Sequence, residues 1–568
     1  MNYTDLQPLF KDRLEEIFHK DSLDSYRVSC HNGLSLLKEL RMLVQRWGES
    51  KIKHVETVLA CLEECEFALI NEDYLDFSFC GAGRKDAFIE QFKEFKNAVS
   101  NAKEKILLSK SFVFYLNKCI DCNQEVFLDR LFLEIESVIF EEGEFEEKDF
   151  IPVVDRLDKL IRSLSCELIH RGFSKVFLFR QSQELDVENF RETYMQFKEC
   201  VHRNSKNYIV IFKLNVPERK IALFPETEFV REVNEEYKKG DGRSLTSGTS
   251  VRFYECTVNS SDMYGAVKKG REKLSSVLDA YHIGLFGVEI KIPQSAVVVE
   301  RNGELIHVVS KKTDYMLDGN YVDNPALSDF IGKSISKIKK SDSVSKDVKD
   351  RLEAAIRHLR IGNVDPEIEQ RFLNYWIALE YVFSSAYASE STFSRLKENL
   401  TNVLTSCYVK RNSLALLKEL KRKGYIDKGI DDLKIYSSFK DFNRMSLLDR
   451  YRVQKIKSHL NSRENIKGYI LNHQKRVTWQ IVRIYRLRNE LIHEAAITQD
   501  IENVTSNLRY YLVMLLNQMI KFFSENIDKG NKLDMDDFFL EFRLMSKIMK
   551  KSDIDDLLNF PVEVEMLI

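Results

Sequence analysis

The chain has 568 residues, too many for one hydrophobic core, and at about 150 residues per domain it divides into roughly three or four units. Its 86 Lys and Arg stand against 88 Asp and Glu, a formal charge of -2, which excludes a molecule-wide basic field for nucleic acid and leaves only a local patch. The 8 prolines and 21 glycines among 44% hydrophobic residues favour packed helices, and 10 scattered cysteines read as reduced thiols rather than a disulfide framework.

The first segment, MNYTDLQPLFKDRLEEIFHKD, carries acids from its fifth position and no apolar core, unlike a secretory signal. The longest apolar run, Tyr510 to Phe523, is broken by Asn517, Gln518 and Lys521 and is too short for a bilayer span of about 20 residues. The expected location is the cytoplasm, with no membrane contact. Residues 1–145 repeat apolar side chains three and four apart, as in Leu34–Leu43 and Phe88–Phe95, and predict a helical N-terminal region. The glutamate-rich run from Glu141 to Lys148 then breaks the period and marks a boundary.

Residues 146–332 predict a mixed α/β domain. Helices are expected over Val153–His170, Val187–His202 and Asp262–Tyr281. Strands are expected over Tyr208–Leu214, Val251–Val258 and Phe286–Ile292, which are rich in β-branched and aromatic residues. A hairpin is expected around Asn302-Gly303, whose residues tolerate the positive φ of a tight turn. The Ser- and Lys-rich stretch from Gly332 to Lys346 reads either as a solvated connector or as a frayed helix. Helical period returns over 346–530 and ends in a 531–568 helical tail with a helix near Phe538–Lys550. The fold class is therefore mainly α, with a helical N-terminal region, an α/β middle domain and a C-terminal helical bundle.

One stretch, RLRNELIHEA from Arg486 to Ala495, sets polar groups into a helix expected over Glu464–Ala496. Val477, Ile481, Ile484, Leu487, Leu491 and Ile492 supply its apolar stripe. Asn489 and His493 lie four apart and face the same way; Arg488 is rotated about 140° from His493 and reaches round on its long stem. The trio suits cleavage of an RNA backbone, whose 2′-hydroxyl is a built-in nucleophile. Histidine titrates near neutrality and moves the proton, arginine forks onto phosphate oxygens, and asparagine orients the histidine or a phosphate. Such chemistry requires no metal or other cofactor. The competing reading pairs Arg488 and His493 with the neighbouring acids Glu490 and Glu494 at a helix surface.

The R-N-x-x-x-H hexamer, preceded by Arg371-Phe-Leu-Asn-Tyr-Trp-Ile-Ala-Leu-Glu-Tyr-Val-Phe383 with its Trp-x-Ala-Leu-Glu core, resembles the HEPN superfamily and in particular its ApeA-like branch. The resemblance covers about residues 346–530. It implies a HEPN-like helical bundle that forms a homodimer, with two motifs meeting in one metal-independent endoribonuclease site. It also implies that Arg488 and His493 are the catalytic pair, with Asn489 the polar residue beside the arginine, and that RNA, tRNA included, is the substrate. Such proteins serve as antiphage effectors in abortive infection, so the upstream regions are expected to sense a phage-derived trigger. The alternative is a non-catalytic HEPN scaffold for dimerisation or for binding RNA or protein. Arg483, Arg486, Lys475 and Arg476 are candidate RNA-binding cations, or else a solvated helix face, and Tyr485 is either a base-stacking ring or core.

Weaker signals compete elsewhere. Cys166-Glu-Leu-Ile-His170 echoes Asn489–His493 but has Ser165 where an arginine is needed, so it is not expected to be a second motif. Cys61, Cys65, Cys119 and Cys122 offer four thiols for zinc, but their spacing suits buried helical cysteines better. Asp279, Glu289 and Lys291 faintly resemble an acidic-x-Lys nuclease core, which the alternation of a half-buried strand explains as well. The sequence contains no Walker loop, no G-x-S-x-G elbow and no H-E-x-x-H helix.

Overall fold

The computed structural model describes residues 2–564 except 20–30, 81–83, 100–104, 219–223, 283–290, 301–305, 311–324, 385–390, 439–441, 495–500, 528–531 and scattered single positions. The chain forms two compact units: Met1–Phe10, Leu23–Ser163 and Gly319–Ile568 make one, and Lys11–Ser22 with Leu164–Asp318 make the other. The N-terminal helices and the C-terminal bundle, separate regions in the sequence reading, therefore belong to one unit.

The N-terminal part runs through α1 (Leu6–Phe18), α2 (Gly33–Gly48), α3 (Val55–Asn71), α4 (Arg84–Val99), α5 (Lys105–Asn123), α6 (Phe127–Ile139) and α7 (Phe150–His170). Asn32 and Ser35 cap α2 reciprocally, and Leu37, Leu40 and Val44 bury one of its faces. At its other end a Cβ on Gly48 would lie 2.1 Å from the Ser109 hydroxyl of α5, so only glycine permits this approach.

The middle of the chain holds α8 (Lys175–Gln183), α9 (Phe190–His202), β1 (Lys206–Asn215), β2 (Phe229–Val230), β3 (Val251–Ser260), α10 (Met263–Asp279), β4 (Ser295–Glu300) and β5 (Ile306–Ser310). Its antiparallel sheet has the order β2-β3-β1-β4-β5. Val210 and Phe212 of β1 pack with Leu274 and Leu278 of α10 on one face, and Ile211, Phe253 and Val297 pack on the other. The sheet is thus apolar on both sides. β4 and β5 pair from Ser295↔Ser310 to Val299↔Ile306, consistent with a hairpin, while Asn302-Gly303 itself lies outside the described residues. Most of the strand expected at Phe286–Ile292 also lies outside them, and Lys291 and Ile292 form no strand.

The C-terminal part comprises α11 (Pro325–Lys340), α12 (Lys346–Val364), α13 (Ile368–Phe383), α14 (Thr392–Arg422), α15 (Ile435–Ser438), α16 (Leu447–Leu460), α17 (Arg463–Glu494), α18 (Ile501–Asn526), α19 (Met535–Ile548) and α20 (Ile554–Leu558). The polar stretch after Gly332 is thus helical through Lys340, because Ile338 is fully buried and Phe330 and Ile335 pack on the core. α13 and α17 lie together in that core, with Trp376 and Leu379 from one and Ile481, Ile484 and Leu487 from the other. The tail is integral to the bundle: Phe538 and Phe542 of α19 join the same core, and Leu557 and Leu558 of α20 join a second cluster with Leu417 and Ile470. The mainly α class with an α/β middle region holds. Among the described residues no helix is long and apolar enough to cross a membrane.

Candidate functional site

α17 carries the motif, and its register decides what each polar residue meets. Arg483, Arg486 and Glu490 fall three and four residues apart and share one face. That face meets Glu39 and Arg46, two turns apart on α2, and Glu64 on α3. Arg483 reaches Glu39 at 2.9 Å and Glu64 at 2.6 Å, Arg46 reaches Glu490 at 2.8 Å, and Arg486 bonds Glu39. Three arginines face three glutamates, so the charges balance. Arg483 is only 4% exposed. Burial would raise the Glu39 carboxyl, but Arg483 and Arg486 beside it outweigh burial and hold it well below the usual carboxylate range.

This arrangement corrects the expectation of a basic RNA-binding face. Arg483 and Arg486 are consumed by carboxylates in the interior. Arg476 lies over the Phe67 ring at 5.7 Å, and burial pulls its guanidinium below its ordinary value. Lys475 is the exposed cation of the four. Tyr485 is half-buried, stacked on Phe393 at 3.8 Å and tilted against Trp376, so its ring belongs to the packing.

Arg488 and Asn489 point elsewhere and remain partly exposed. Arg488 donates to the Asn489 side-chain oxygen at 3.1 Å and reaches Glu380 at 3.4 Å. Among the described residues its Nε, like that of Arg486, has no hydrogen-bond partner. Glu380 is the glutamate of Trp376-Ile-Ala-Leu-Glu380, so the two stretches singled out in the sequence meet at this pair. The exposed Tyr381 and Ile492 follow on the same helices. His493 occupies the last turn of α17, one turn beyond Asn489, and its side chain lies outside the described residues. Sequence reasoning missed Glu380 as a partner; its place in the Trp-x-Ala-Leu-Glu core was the available signal. It also missed Glu39, Arg46 and Glu64, where the two-turn spacing of Glu39 and Arg46 was the only local trace.

The competing signals resolve differently. His170 hydrogen-bonds the Cys166 carbonyl of its own helix at 2.7 Å. Cys61, Cys65 and Cys119 are buried and Cys122 is exposed, and burial raises the first three thiols, disfavouring the thiolate that zinc needs. Among the described residues no group of three or more His, Cys, Asp or Glu is placed to hold a metal ion. Glu289 lies outside the described residues, and Lys291 is exposed in irregular chain. Comparison with protein-family models, curated proteins and solved structures finds no match to this chain.

Proposed function

We propose that the chain is a metal-independent endoribonuclease whose reaction centres on Arg488, Asn489 and His493, with two copies contributing to one site. A base takes the proton of the ribose 2′-hydroxyl, the oxygen attacks the adjacent phosphorus, and the 5′-oxygen leaves with a proton from the conjugate acid. The products are a 2′,3′-cyclic phosphate and a 5′-hydroxyl. His493 is assigned the proton transfers, Arg488 the charge on the phosphoryl oxygens and Asn489 the orientation of Arg488. The observation that carries this reading is the contrast along α17: Arg483 and Arg486 are set against buried carboxylates, whereas among the described residues Arg488 meets the partly exposed Glu380 at 3.4 Å. A guanidinium so loosely held can exchange Glu380 for a phosphate.

The same Arg488–Glu380 contact favours a second reading, in which the pair only ties α13 to α17 within a scaffold that dimerises or binds RNA or protein. The regulatory part of the proposal, an antiphage effector with upstream regions that sense a trigger, rests on the six-charge contact by which α2 and α3 grip α17. Incubating wild type, Arg488→Ala and His493→Ala with total tRNA in excess EDTA separates the readings. New cyclic-phosphate ends from the wild type alone support the enzyme. Equal cleavage by folded variants removes these residues from the chemistry.

A further inference from the structure

α19 buries one face and leaves another bare. Phe538, Phe542 and Met545 enter the core, whereas Leu540, Leu544 and Ile548 are 53%, 47% and 54% exposed. These three are spaced four apart and form one ridge, with about 6 Å between steps. A leucine or isoleucine exposed singly is ordinary; three in line on a helix whose other face is anchored form a contact surface. Charge divides the helix by halves. Asp534, Asp536, Asp537 and Glu541 fall in its first part, Lys547 at its end, and Lys550 and Lys551 just beyond. Among the described residues Glu541, Lys547 and Lys551 form no ion pair, and the Asp537 carboxylate accepts only the Asp534 backbone N–H of its own cap.

From this pattern we infer that α19 docks on α19 of a second copy of this chain, antiparallel about a two-fold axis at Leu544. That axis sets Leu540 of one copy against Ile548 of the other and Leu544 against itself. It brings the acidic half of each helix beside the basic end of its mate, with Asp537 nearest Lys551, and opposes the two helix dipoles. A parallel pair would instead set acid on acid and lysine on lysine. The ridge is smaller than the roughly 800 Å² per partner of a standard stable interface, so the association is concentration-dependent. α19 lies outside the 346–530 stretch that carries the motif, and the inference does not rest on the ribonuclease reading.

Sedimentation velocity on the full chain over a wide dilution series tests it. Leu544→Asp, a solvent-facing change checked for folding by circular dichroism, is expected to halve the mass of the largest species. Asp537→Lys and Lys551→Asp should each weaken association, and the two together should restore it. A wild type that shows no association, or a Leu544→Asp variant with the same largest mass as wild type, overturns the inference and leaves the ridge to a different partner. Neither result depends on whether the protein cleaves RNA.

Discussion

Arg483 and Arg488 sit on the same helix, and their surroundings predict opposite consequences of truncation. Arg483→Ala leaves Glu39 and Glu64 buried without their main cation, and removing one partner of such a group costs about 3–5 kcal/mol, to be read as a shifted urea midpoint. Arg488→Ala breaks a contact to a carboxylate that is 38% exposed. Its expected stability cost is under about 1 kcal/mol, while cleavage falls by about 10²–10³-fold if Arg488 stabilises the phosphoryl charge. A stability loss as large as that of Arg483→Ala, with unchanged cleavage, would favour the scaffold. Gly362 gives a third contrast. A Cβ there would lie 2.5 Å from the Tyr375 ring, so Gly362→Ala should force α12 from α13 and cost about 1–3 kcal/mol.

Along α17 the helix also carries a titrating ring. His473 stacks on Tyr408 at 3.6 Å, and burial together with Arg411 and Arg476 holds it well below its ordinary value. The unfolded chain takes up this proton at about pH 6.5 whereas the folded chain resists it, so the contribution of His473 is full above that pH and is lost as pH falls. His473→Phe keeps a ring on Tyr408 and should flatten the decline of Tm between roughly pH 6.5 and 5 relative to wild type; an unchanged slope would remove His473 from the acid response. The start of α17, expected at Glu464 and found at Arg463, was legible because its apolar stripe is set by local period, while its expected end at Ala496 lies outside the described residues. The helix α11 was ambiguous because only packing against the core separates it from a solvated connector, and β2 is too short for any period to register. The pairing of Arg488 with Glu380 spans 108 residues, and that of Arg483 with Glu39 spans 444, distances at which a single sequence can single out a residue but not its partner.

At the scale of the whole molecule, no local period or composition shift signals that the outer segments of the chain share one unit. A bundle cut out as residues 346–530 lacks Glu39, Glu64, Phe538 and Phe542 and exposes the groups they cover. It is expected to be insoluble or molten, and restoring the missing segments in a co-expressed chain should recover cooperative unfolding. The insertion of the middle unit within the helical one also imposes an order on synthesis. Glu64 leaves the ribosome 419 residues before Arg483, a lag of roughly 20–80 s at about 5–20 residues per second. During that interval α2 and α3 present acids with no mates, while the inserted unit has its full sequence and is free to fold. The motif helix is clasped only after the inserted unit has been synthesised. A ribosome that stalls before Arg483 therefore yields a chain without the motif, and the acids of α2 and α3 stay bare until α17 has been made.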